Sequence, residues 1–64
     1  MKEKLLAAGF IEDVEGMLHL EKERYTIAAW HDQHRWMYTA KDKRDGVTYG
    51  PQHLMNITQL NPYL

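Results

Sequence analysis

Both tryptophans and three of the four tyrosines of this 64-residue chain fall in one stretch, Tyr25 to Tyr49. Within it Tyr25, Ile27 and Ala29 alternate with Thr26, Ala28 and Trp30. Further on, Trp36, Tyr38 and Ala40 alternate with Arg35, Met37 and Thr39. A period of two in a segment rich in aromatic and β-branched side chains is the pattern of a half-buried strand. His31-Asp32-Gln33-His34 is polar and suits a hairpin connection. Asp45-Gly46 supplies the dipeptide that tolerates positive φ in a tight turn, and Val47-Thr48-Tyr49 reads as a third strand. The rival reading is a helical stripe through Ile27, Trp30, His34, Met37, Tyr38 and Lys41. The low helix propensity of the aromatics and threonines in Tyr25–Thr39 tells against it.

The flanks supply the cover that such a meander requires. Lys2 to Ala8 reads as a short helix ended by Gly9, with Leu5 and Phe10 meeting as the apolar pair of a Schellman cap. Ile11 to Gly16 reads as a polar connection, its three acids equally compatible with a longer helix. Met17 to Leu20 is extended; running on toward Arg24, it pairs with or continues into Tyr25–Ala29 as a fourth strand. The alternating charges of Glu21-Lys22-Glu23-Arg24 mark a solvated edge or turn. Gly50-Pro51 reads as a helix start, with Leu54, Ile57 and Leu60 on one face and Asn61-Pro62 as the stop. The expected architecture is therefore a single α+β domain, residues 1–64. It has a short N-terminal helix, a three- or four-stranded antiparallel meander, and a C-terminal helix over residues 51–60 packed on one face.

Hairpin register decides which aromatics are buried. A two-residue loop at Asp32-Gln33 puts Ile27, Ala29, Trp36 and Tyr38 on one face and Ala28, Trp30, Arg35 and Met37 on the other. A three-residue loop instead brings Trp30 onto the face of Trp36, because a one-residue slip exchanges faces.

A chain this short buries only about 60% of the surface its unfolded form exposes. With no cysteine, disulfides and thiolate metal sites are excluded, so self-association is one route to extra buried area. Lack of cysteine suits a reducing cytoplasm, the expected location. No secretory leader or bilayer-length apolar run is present, which argues against a membrane partner. Net charge is −1, yet His34–Arg44 carries Arg35, Lys41, Lys43 and Arg44 against Asp42 alone.

Chemistry is sparse. Serine and cysteine are both missing, and the four glycines at 9, 16, 46 and 50 form no phosphate loop. Asp42 and Asp45 flank basic residues in an expected turn, where solvation is the ordinary outcome. No enzyme, no cofactor and no metal is expected; His31 and His34 form an H-x-x-H pair, with His19 and His53 elsewhere, but structural zinc sites usually recruit cysteine. Two binding readings follow. Trp30, Arg35 and Met37 share one face in the two-residue register and belong to the types enriched at protein interfaces, which suggests a binding or accessory protein, or a homodimer. The alternative is a nucleic-acid module, with Arg35, Lys41, Lys43 and Arg44 on an aromatic hairpin over residues 34–44. Three strands followed by a helix is similar in outline to the small DNA-binding domains of phage integrases, an analogy of architecture without a shared motif.

Overall fold

The computed structural model describes residues 1–64 as one antiparallel sheet with little else. Helix α1 (Lys2–Ala7) is followed by β1 (Ile11–Glu12), β2 (Leu18–Glu21), β3 (Tyr25–Asp32), β4 (Arg35–Asp42) and β5 (Thr48–His53). A 3-10 helix (Ile57–Tyr63) ends the chain. The five strands lie side by side in chain order, each antiparallel to the next. This corrects the expectation of a three- or four-stranded meander capped by a C-terminal helix.

The first turn of the chain forms as its residues dictate. Gly9, at φ +105°, lets its N–H donate to the Leu6 carbonyl and that of Phe10 to Leu5. Leu5 and Phe10 are both buried. Ile11-Glu12, expected as connection, becomes an edge strand pairing Ile11 with His19 and Glu12 with Leu18. The loop between them is tied by Asp13, whose Oδ1 accepts the N–H groups of Glu15 and Met17.

The C-terminal half departs most from expectation. Thr48–His53 pairs along β4, from Lys41↔Thr48 to Met37↔His53, with a bulge opposite Thr39. Proline is tolerated because β5 is an edge strand, where a missing N–H need not interrupt a ladder. The apolar spacing of exact threes, Ile57, Leu60 and Tyr63, is the period of a 3-10 helix, in which side chains at i and i+3 eclipse. Leu60 is buried, with Ile57 and Tyr63 half-buried. The first helical residue is Ile57, not Pro51, and the cap before it is Asn56. Its Oδ1 accepts the Thr58 N–H at 3.0 Å, and Gln59 Oε1 reaches back to the Asn56 N–H at 2.9 Å. Pro62 lies inside the helix rather than ending it.

Both α1 and the 3-10 helix contribute to one core. Leu5, Phe10, Leu54 and Leu60 pack with Leu18, Leu20, Ile27, Ala29, Tyr38 and Ala40 from the strands. The β3–β4 loop is Gln33-His34, between the paired Asp32 and Arg35. Ile27 therefore faces Ala40, and Ala29 faces Tyr38, two residues displaced from the Asp32-Gln33 register. A shift of two preserves faces, so Trp36 remains on the core side and Trp30 on the other. Across β3 and β4, Ile27 and Tyr38 each sit opposite an alanine.

Gly50 is the tightest backbone position. At φ +99°, a Cβ there would meet the Tyr38 carbonyl oxygen at 2.7 Å. Gly46, at φ +76°, has open space around it. Gly50→Ala should therefore lower the unfolding free energy by about 1–3 kcal/mol, and Gly46→Ala by only about 1 kcal/mol. Urea titrations that rank the two variants in the reverse order would contradict this account.

Candidate functional site

The face of the sheet turned away from α1 and the 3-10 helix has no cover. Strand alternation and register place Ile11, His19, Ala28, Thr39, Trp30, Met37 and His53 on it. Trp30 and Met37 are directly paired across β3 and β4 and are each half-buried, and Met37 is in turn opposite His53. Ile11, at one edge, is 73% exposed. Charges of both signs border this strip, whose apolar members are Ile11, Ala28, Trp30 and Met37. Asp32 and Arg35 stand at the hairpin end, with Glu21 and Lys41 toward the other.

Trp30, Arg35 and Met37 are thus brought together on one open face. The four cations of the nucleic-acid alternative are not. Lys43 Nζ is 2.7 Å from Glu21 Oε2, and Arg44 Nε is 3.6 Å from Asp42 Oδ1. Arg35 and Lys41 take part in no ion pair. They share the open face, but six residues of strand hold their backbones about 20 Å apart. With β5 in place of the C-terminal helix, the outline shared with integrase DNA-binding domains is also gone.

The histidines scatter likewise. His31 lies beside Trp36 on the core side, with ring centroids 5.4 Å apart. His34 is in the hairpin loop, and His19 Nε2 is 2.9 Å from Asp13 Oδ2. No group of three His, Asp or Glu side chains is arranged to hold a metal ion.

A feature that composition concealed lies at the other end of β3 and β4. Asp42, expected to be solvated, is 1% exposed. Its Oδ2 accepts from Arg24 Nε at 3.1 Å and Oδ1 from the Arg44 N–H at 2.9 Å, so two turns converge on one carboxylate. Lys43 reinforces the junction: its N–H donates to the Arg24 carbonyl and its ammonium to that of Lys22, both at 2.7 Å. Asp42 also sets the form of the β4–β5 turn. The Asp42 N–H bonds to Val47 and the Gly46 N–H to the Asp42 carbonyl, giving a four-residue loop, Lys43–Gly46. The loop ends in Asp45-Gly46, with Gly46 at φ +76°, the positive φ expected of that dipeptide.

Beyond this junction is an open cavity of about 430 Å³ between the β2–β3 turn and the end of the 3-10 helix. Lys22, Glu23, Arg24 and Tyr25 form one side, Tyr63 and Leu64 the other. Tyr25 and Tyr63 meet edge to face at 5.0 Å and 81°. The Arg24 guanidinium carbon is 5.0 Å from the Tyr25 ring centre. The Tyr38 phenol is pushed above its ordinary range by burial, and its hydroxyl donates to Gln52 Oε1.

No family model, curated protein sequence or solved structure matches the chain. The fold itself defines an antiparallel five-stranded sheet protein with one covered face, and no helix in it is long and apolar enough to cross a membrane.

The Asp42 carboxyl is held below its ordinary range by the Arg44 N–H and then by Arg24, which together outweigh its burial. Hydrogen bonds from His19 and Lys43 act the same way on Asp13 and Glu21 respectively. A carboxyl whose folded pKa is depressed adds stability above its unfolded pKa, and that stability is lost as pH falls through the folded value. Unfolding midpoints should accordingly be flat near neutrality and fall below about pH 4. Asp42→Asn should lower the midpoint at pH 7 and flatten part of the acid limb. An unchanged limb in urea titrations from pH 7 to pH 2 would show that the junction is not coupled to folding.

Proposed function

We propose that this protein is a non-enzymatic binding module whose open sheet face docks another protein, a second copy of the chain included. The observation that carries this reading is the Trp30–Met37 pair. It sits half-exposed on an uncovered sheet face, with Ala28 beside it and His19, Thr39 and His53 around, bordered by Arg35, Asp32, Glu21 and Lys41. Trp, Met and Arg are enriched at the cores of protein interfaces, where they bury large areas against a partner.

Strand edges offer a poorer route to association. One edge is the two-residue β1, and the other, β5, carries Pro51 and a bulge. Short, proline-bearing and bulged edges are the usual means of blocking strand addition. The nucleic-acid reading is weaker for a physical reason. Phosphate neutralisation dominates such affinities, and two of the four cations already have carboxylate partners. A chain with no thiol to oxidise suits the cytoplasm, where we place it.

The test is a surface pair of variants, Trp30→Ala and Met37→Ser, each expected to cost no more than about 1 kcal/mol of stability because only a cross-strand contact is lost. Sedimentation over a range of concentrations, and recovery of bound proteins from native lysate, should both be compared with the parent chain. The parent should self-associate or retain a partner that both variants lose. Identical behaviour of all three chains would overturn the reading. Binding to duplex DNA at low salt, unaffected by Trp30→Ala, would favour the cationic alternative.

A further inference from the structure

The cavity beside the Asp42 junction lies at the covered side of the sheet and owes nothing to the Trp30–Met37 face. We propose that it is a binding site for an anionic oxygen group carried on a flat ring, such as an aryl phosphate or an aromatic carboxylate.

The anionic half follows from how Arg24 is held. Its guanidinium uses Nε, at 3.1 Å, and Nη2, also at 3.1 Å, on the same Asp42 oxygen. Asp42 is sealed from solvent while the Arg24 side chain is 47% exposed. The buried carboxylate thus anchors the inner edge of the guanidinium and leaves Nη1, which makes no hydrogen bond, for a ligand. An arginine immobilised in this way has little rotamer freedom left to lose on binding, and its planar donor edge matches a carboxylate or phosphate. The charge on Asp42 does not cancel the site. Arg44 shares the same carboxylate, its Nε 3.6 Å from Oδ1. Two guanidiniums against one carboxylate leave positive charge in excess. Lys22 adds an ammonium with no ion-pair partner, and Glu23 is the one acidic side chain on the wall.

The ring half follows from the opposite wall. Tyr63 stands edge-on to Tyr25, and with the neighbouring Pro62 and Leu64 forms an apolar side facing the cationic one. Edge-to-face and offset contacts between rings favour a flat aromatic occupant over a purely aliphatic one. A volume of about 430 Å³ falls in the range of small-molecule sites, about 300–1,000 Å³. The wall is also braced before any ligand arrives. Lys43 bonds to the carbonyls of both Lys22 and Arg24, and the Lys22 N–H donates to the Tyr25 carbonyl at 2.8 Å.

Titration of the full chain by NMR tests this, reading the Tyr25 and Tyr63 ring signals and the Arg24 Nε–H. Phenyl phosphate and benzoate are the probes, with phenol and inorganic phosphate as half-ligands. At least one probe should shift all three residues and bind at least about tenfold more tightly than either half-ligand. A preference for phenyl phosphate points to a phosphorylated tyrosine side chain as the natural source, and a preference for benzoate to a free aromatic acid. Arg24→Lys should weaken the favoured probe about tenfold, the loss expected when a charged planar contact is removed. Because that variant also touches Asp42, Lys22→Ala serves as a second; its ammonium supports no structural contact, and it should weaken binding severalfold with an unchanged unfolding midpoint. The proposal fails if neither probe binds, if inorganic phosphate binds as tightly as phenyl phosphate, or if Lys22→Ala and a folded Arg24→Lys both bind as the parent does.

Discussion

The sheet of this protein has two faces and only enough chain to cover one. Helix α1, the Phe10 turn, Leu54 and the 3-10 helix together bury Leu18, Leu20, Ile27, Ala29, Tyr38 and Ala40. Nothing remains to lie across Trp30, Met37 and Ala28. Burial of apolar area is the main favourable term in folding, so a one-sided core keeps such a small body near the lower limit of stability. Most features follow from that shortage. The core face pairs large residues with small ones, Ile27 with Ala40 and Tyr38 with Ala29, so that a thin layer of helix can fill the surface evenly. The open face keeps Thr26, Thr39 and charged residues among its apolar side chains, which makes its exposure to water tolerable.

Asp42 supplies what the thin core does not. Its position opposite Tyr25 brings it under Arg24, and its own turn brings Arg44 back onto it. The β2–β3 and β4–β5 turns are distant in sequence but become one braced unit through this carboxylate and Lys43. A buried charge is tolerated only when its hydrogen-bonding capacity is met, and no buried side-chain polar atom in the structure is without a partner. The same arrangement that satisfies Asp42 holds an arginine at the wall of a cavity. The structural role and the proposed binding role thus meet in Arg24.

Much of the strand pattern could be read from residue order. Alternation from Tyr25 to Ala40 identified β3 and β4, the Leu5–Gly9–Phe10 spacing identified the helix cap, and Met17–Leu20 was extended as expected. Ile11-Glu12 was missed because two residues carry no period, and they form a strand only when β2 lies beside them. Pro51 suggested a helix start because proline suits that position as well as an edge strand. A local signal was present in Asn56 and Gln59, whose spacing is that of a capping box and places the start six residues later. The apolar spacing of three was read as an α-helical face when it fits the 3-10 period better.

Residue order by itself determined that Tyr25–Trp30 and Arg35–Ala40 pleat, and that Gly9 ends the first helix, because these depend on neighbours within a few positions. It left open whether Trp30 joins Arg35 and Met37, because a three-residue loop moves Trp30 to the other face; the observed register puts all three together. Only the tertiary structure decided that this face stays open, since the covering elements are α1 and a short 3-10 turn from opposite ends of the chain. The burial of Asp42 was likewise a tertiary matter. Its two arginines come from different turns, and only an eight-residue ladder in one register brings them to the two oxygens of one carboxylate.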